Sequence, residues 1–112
     1  IITNESKFDG LKKALNNIGI TGMTVFDVFG YGMQKGHSTY YRGVETEADL
    51  LPKIRVEVVV STVPVHEVVA AARKALYTGN IGDGKIFIYN VENVIRVSTG
   101  DEGKKALEYP TE

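Results

Sequence analysis

The sequence predicts an α+β domain of ferredoxin-like order, β-α-β-β-α-β, with a long loop between the second and third strands. Three observations carry this expectation. Two stretches with apolar residues at helical spacing alternate with runs rich in β-branched and aromatic residues. A glycine follows each helical stretch, where a left-handed stop is expected. Valines and aromatics populate both faces of the strand runs. Two helices cover only one face of such a sheet, so an oligomer with its sheets turned inward is expected.

The elements follow in order. Ile1, Ile2 and Thr3 read as the end of a strand, and a chain opening on Ile1 rather than Met is expected to lack its true start. Ser6 and Asp9 fit a capping box with Asp in place of Glu. Phe8, Leu11, Leu15 and Ile18 then form the apolar stripe of a first helix that stops at Gly19. Residues 23–29 (MTVFDVF) read as a strand. Residues 54–60 (IRVEVVV) read as a strand half exposed at its start and buried at its end. Pro64 suits the first turn of a second helix, with Val65, Val68, Val69, Ala72 and Leu76 as its stripe and Gly79 after it. Residues 85–89 (KIFIY) and 94–98 (VIRVS) are two further short strands, and residues 101–107 are one or two helical turns.

Residues 30–53 show no sustained period of either kind. Loops beyond roughly 12–15 residues are uncommon and are usually functional or disordered. Tyr31, Tyr40, Tyr41 and Arg42 are residue types enriched at interface hot spots, which favours a binding loop over a disordered insertion.

Composition narrows the function classes. With 112 residues, 43% hydrophobic and 24% charged, one globular domain spanning residues 1–112 is expected. A net charge of −1 removes the electrostatic case for nucleic acid or an anionic membrane as the main partner. The absence of Cys excludes disulfides, a thiol nucleophile and Cys-ligated zinc. No run of apolar residues is long enough to span a membrane, and no signal peptide is visible, so a cytoplasmic protein is the default.

The sharpest local signal is residues 78–85 (TGNIGDGK). Gly79, Gly84 and Lys85 match the G-x-x-x-x-G-K spacing of a phosphate loop. The match then fails, because Ile86 stands where Ser or Thr holds magnesium and a strand follows in place of a helix. A Walker-type NTPase is therefore rejected. Glycines still let backbone N–H groups approach a phosphate, and Lys85 adds charge. Spacing alone leaves a phosphate cradle and a plain glycine-rich turn both open. Arg96 is a second candidate cation. With several amides the two cations suffice for micromolar binding of a triphosphate, roughly −8 kcal/mol. Lys35 and Lys53 bracket the long loop as a possible carboxylate clasp, though solvent exposure is the plainer reading of both. His37 and His66 lack metal-ligand spacing, and no nucleophile motif surrounds any Ser.

Taken together, residues 22–25 (GMTV), 30–37 (GYGMQKGH), 41–43 (YRG), 51–53 (LPK), 78–87 (TGNIGDGKIF), 94–96 (VIR) and 99–100 (TG) resemble the PII-type (GlnB/GlnK-like) signal transduction proteins over nearly the whole chain. The resemblance implies a homotrimer whose sheets face the centre, with ATP and ADP competing for clefts between subunits. Carried over by residue, Thr24, Gly32, Met33 and Val59 meet the adenosine. Gly82, Asp83, Gly84 and Lys85 meet the phosphates, with Arg96 and Ser98 at the family's C-terminal positions. The family binds 2-oxoglutarate with magnesium beside ATP, and Gln34, Lys35, Gly36 and Lys53 match those positions, with Gln34 the one side chain expected near the metal. The loop over about 32–53 matches the effector arm, with Tyr40, Tyr41 and Arg42 as partner contacts. Its implied targets are a membrane transporter, an ammonium channel by family default, or a metabolic enzyme, so recruitment to the inner face of the membrane is implied as well. The tail covers about 99–112.

The sequence also departs from the family. Its modified Tyr falls at Thr46 and its phosphorylated Ser at Val44, so neither modification is expected. Its second C-terminal Arg falls at Ser98. Asn4 and Glu5 replace the Arg/Lys-Pro pair after the first strand. The implied function is regulatory, not enzymatic. A small ferredoxin-like ATPase and a metal-handling trimer of the same topology are the alternatives. The first lacks an evident general base, and residues 82–85 argue against the second.

Overall fold

The computed structural model describes residues 1–33, 39–41, 44–46 and 48–108. In chain order these form β1 (Ile2–Thr3), a 3-10 turn (Glu5–Lys7), α1 (Phe8–Asn17), β2 (Thr24–Met33), β3 (Thr39–Tyr41), β4 (Val44–Thr46), β5 (Ala48–Glu57), α2 (Val65–Leu76), a second 3-10 turn (Ile81–Asp83) and α3 (Lys104–Leu107). The main sheet is antiparallel in the order β1-β5-β2, and β3 and β4 pair as a separate hairpin. The α+β class holds.

The helices form where apolar spacing demands, and both lie on one face of the sheet. Leu11 and Leu15 of α1, Ile54 and Val56 of β5, and Val68, Ala72 and Leu76 of α2 make one buried cluster with Ile20. Full burial of each large aliphatic side chain contributes about 1.5–3 kcal/mol. α1 ends as expected at Gly19, with φ +94. The N–H of Gly19 bonds the carbonyl of Asn16, and that of Ile20 bonds Leu15, so the last carbonyls are satisfied while Ile20 packs back on the core.

Several boundaries differ from expectation, each for a physical reason. The capping box does not form: Ser6 sits in the 3-10 turn, closed by Lys7 N–H to Asn4 O, and this turn feeds α1 directly. Pro64 is the residue before α2 rather than its first residue, and Val65 is exposed. β2 runs past Phe29 to Met33, and β5 begins at Ala48 and ends at Glu57. Their ladder is continuous from Thr24↔Glu57 to Met33↔Ala48. The segment that looks aperiodic in sequence is thus strand at both ends, stabilised by pairing rather than by an apolar pattern. Pro52 is tolerated in β5 because β1 stops at Thr3↔Ile54, leaving β5 one neighbour there.

The expected strand at 85–89 makes one bridge, Lys85↔Ile2. The expected strand at 94–98 is instead one side of a tight turn. Ile95 bridges Glu102, and the N–H of Arg96 bonds the carbonyl of Asp101 at 2.8 Å.

Candidate functional site

The glycine-rich segment is a closed turn held from inside by Asp83. The Asp83 carboxylate accepts the N–H of Thr78 at 2.7 Å, the N–H of Gly79 at 2.9 Å and the Thr78 hydroxyl. These bonds, the Thr78 hydroxyl first, hold its carboxyl below the ordinary carboxylate value. Gly79 lies at φ +88 within this turn, so it serves the turn rather than capping α2. The amides of Asn80, Asp83 and Lys85 are also spent, on Thr78 Oγ1, Asn80 O and Ile2 O. The amides of Ile81 and Gly82 begin the 3-10 turn, where no preceding carbonyl serves them. They are the donors best placed for an anion, and Lys85, exposed, follows them three residues beyond Gly82.

Gly84 docks this turn on the sheet. It lies at φ +110, and a Cβ there would stand 2.0 Å from Ile2 O. That close approach permits the paired bonds Ile2 N–H to Lys85 O (2.9 Å) and Lys85 N–H to Ile2 O (3.0 Å). The buried Thr3 adds Oγ1 to Asp83 O at 2.8 Å.

Lys53 reaches the same place from β5. Its ammonium donates to Asn4 Oδ1 at 2.5 Å and to Gly82 O at 3.4 Å, while Asn4 Nδ2 donates to Gly82 O at 3.0 Å. The structure therefore brings together Lys53, Gly82, Asp83, Gly84 and Lys85. It also adds Asn4, Thr3 and Thr78, which carry no assigned role in the sequence reading. The only signal for Asn4 was its replacement of the family's cation.

Thr24 and Val59 line a different cleft, of about 540 Å³, with Glu57, Lys104, Leu107 and Glu108 among its walls. The tail forming that wall is held by Arg96, whose guanidinium donates to the carbonyls of Lys105, Ala106 and Glu108 and pairs with Asp101 at 3.5 Å. Ser98 is exposed in the adjoining turn. Gly32 and Met33 stand at the far end of β2, eight and nine residues beyond Thr24. At 3.3–3.4 Å per residue, Thr24 and Gly32 are about 27 Å apart. One chain does not bring both to a single nucleoside. Another groove, of about 480 Å³, is apolar, walled by Val56, Val58, Val68, Ile86 and Ile88, and shares only Val59 with the expected site.

Tyr40 and Tyr41 lie on β3, paired with Glu45 and Val44. Gln34, Lys35, Gly36 and Arg42 lie outside the described residues. Among the described residues, no group of three or more His, Asp or Glu could hold a metal ion, and no helix is long and apolar enough to cross a membrane.

Comparison with known proteins agrees with the fold. The family model described as nitrogen regulatory protein P-II matches residues 1–101. A nitrogen regulatory protein P-II of Pasteurella multocida (strain Pm70) is 48% identical over 101 residues, covering 90% of each chain. A nitrogen regulatory PII-like protein of Bacillus subtilis (strain 168) is 45% identical over 107 residues, 96% of this chain and 92% of the relative. Among solved structures, B. subtilis GlnK superposes with a TM-score of 0.79 at 44% identity, covering 95% of this chain and 93% of that one. The B. subtilis GlnK-ATP complex superposes with a TM-score of 0.79 at 40% identity, covering 95% and 90%. The names these relatives carry are regulatory, not enzymatic. With the family model, the curated relatives and the superposed fold in agreement, the chain belongs to the nitrogen regulatory protein P-II family.

Proposed function

We propose that this chain senses ATP against ADP in clefts shared between neighbouring copies, as a homotrimer, and controls a target through the segment between β2 and β5. The observation that carries the reading is the preformed turn at 78–85. Its Gly82 and Ile81 amides and its Lys85 cation fit a phosphate, and a similar chain is known as an ATP complex. The 27 Å separation of Thr24 from Gly32 favours a site completed by a second chain. The apolar surface left open on one copy favours the same assembly: Phe29 is 69% exposed, Tyr31 77% and Val97 99%.

In this reading the γ-phosphate, present in ATP and absent from ADP, is what the turn and the loop base distinguish. A ligand shifts the loop only by its differential affinity for the two loop states. Bound magnesium would neutralise phosphate charge. The resemblance to the family puts its protein contact at Gln34. Binding of 2-oxoglutarate with magnesium-ATP at Gln34, Lys35, Gly36 and Lys53 is the reading's outer element. For that, Lys53 must leave Asn4 and Gly82 O. The regulated partner is a membrane transporter, such as an ammonium channel, or a metabolic enzyme, and a transporter would recruit the protein to the inner face of the membrane.

The test is calorimetry with Lys85→Ala. A lost charge-assisted contact of about 1.5–3 kcal/mol weakens ATP roughly 10- to 150-fold. Unchanged affinity would contradict the assignment.

A further inference from the structure

We infer that Asn4 is a positioning residue that ties the phosphate-binding turn to the base of the long loop, by holding the Lys53 ammonium against the carbonyl of Gly82. The inference rests on the reading that residues 81–85 receive a nucleotide's phosphates.

Three contacts make the tie. Lys53 Nζ bonds Asn4 Oδ1 at 2.5 Å, Asn4 Nδ2 bonds Gly82 O at 3.0 Å, and Lys53 Nζ reaches Gly82 O at 3.4 Å. They join three parts of the chain far apart in sequence: the end of β1, β5 and the second 3-10 turn. The peptide unit they grip is fixed at its other end too, because the N–H of Asp83 bonds Asn80 O at 3.1 Å. A shift of the turn toward a phosphate therefore pulls on Lys53. Lys53 stands opposite Val28 in a ladder that runs unbroken to Met33↔Ala48, where the long loop begins. From Lys53 to Ala48 the strand covers about 17 Å. Asn4 suits this role because its amide both accepts and donates. Being neutral, it leaves the positive charge of Lys53 uncancelled beside the turn. An aspartate would keep the acceptor for Lys53 but lose the donor to Gly82 O and cancel that charge.

The experiment follows the ATP-induced change in hydrogen exchange of amides 48–53, alongside calorimetric ATP affinity, in the unsubstituted protein, Asn4→Ala, Asn4→Asp and Lys53→Met. Asn4→Ala and Lys53→Met should each cut the change at saturating ATP at least fivefold, about the low end of measured couplings between sites. Combining them should add nothing more. Asn4→Asp keeps an acceptor for Lys53 but cannot donate to Gly82 O, so it should also cut the change at saturation, and its charge should weaken ATP severalfold beyond Asn4→Ala, a difference that loss of structure alone does not produce. Should Asn4→Ala fail to fold, Lys53→Met and Asn4→Asp carry the test. If the unsubstituted protein responds to ATP and Asn4→Ala or Lys53→Met responds equally, the tie is overturned and the nucleotide reading stands. If the unsubstituted protein takes up no ATP, both are overturned.

Discussion

Replacing Gly84 with alanine tests the docking of the glycine turn on β1. At φ +110 and ψ −167 this residue occupies a region essentially confined to glycine, costing an L-residue on the order of 1–3 kcal/mol. The new Cβ would stand 2.0 Å from Ile2 O and 3.0 Å from Ile2 C and Thr3 Cα. These are backbone atoms, so no side chain can swing aside. The turn and β1 must part by well over an ångström, which breaks both bonds of the Ile2↔Lys85 bridge. Those bonds contribute about 0.5–1.5 kcal/mol each. The expected loss is roughly 2–6 kcal/mol, a large part of a typical 5–15 kcal/mol domain stability. Thermal unfolding at fixed protein concentration should show a midpoint lower by about 10–20 °C. Gly82→Ala is the control. Its Cβ would meet Asn4 Nδ2 and Lys53 Nζ at 3.9 Å each, ordinary contact, so a loss near that of a surface change, within about 1 kcal/mol, is expected. A Gly84→Ala midpoint within a few degrees of the unsubstituted protein would refute the reasoning.

Other predictions follow from the same contacts. The folded-state pKa of Asp83 lies below its ordinary 3.8, so its bonds stabilise the protein above that pH and are lost as pH falls through the lower folded value. In Asp83→Asn this part of the acid-side fall in stability should vanish; an identical pH profile for the two proteins, by urea unfolding, would count against the clamp. Arg96→Ala removes the donor to the carbonyls of Lys105, Ala106 and Glu108. A four-residue helix does not hold itself together, so amides 104–108 should exchange as in a free peptide while those of α1 stay protected. Thr78→Val deletes the hydroxyl that binds Asp83 and supports the Asn80 amide, and the folded pKa of Asp83, read by carboxyl NMR, should rise toward the ordinary value.

What was legible in the sequence is what local spacing encodes. Phe8, Leu11, Leu15 and Ile18 announce α1, and Gly19 its end, because helical contacts are three and four residues apart. Pairing between distant residues writes no such pattern. Residues 30–33 and 48–51 read as loop because two glycines, a tyrosine and a lone aspartate carry no alternation, yet each finds a partner across the ladder. The strand expected at 85–89 has the right residues, but strand formation depends on a paired neighbour, and among the described residues its pairing is the single bridge Lys85↔Ile2. The glycine turn was visible by its spacing, whereas the turning of the Asp83 carboxylate inward was not. Lys53 looked like a solvated lysine because its partners lie 49 and 29 residues away.

The most direct test of the account is a calorimetric titration of the unsubstituted protein with ATP and with ADP, its assembly state followed in the same samples. A trimer taking up one ATP per chain with micromolar affinity, and binding ADP in competition, is the predicted result. A monomer, or no heat with either nucleotide at millimolar concentration, would contradict it.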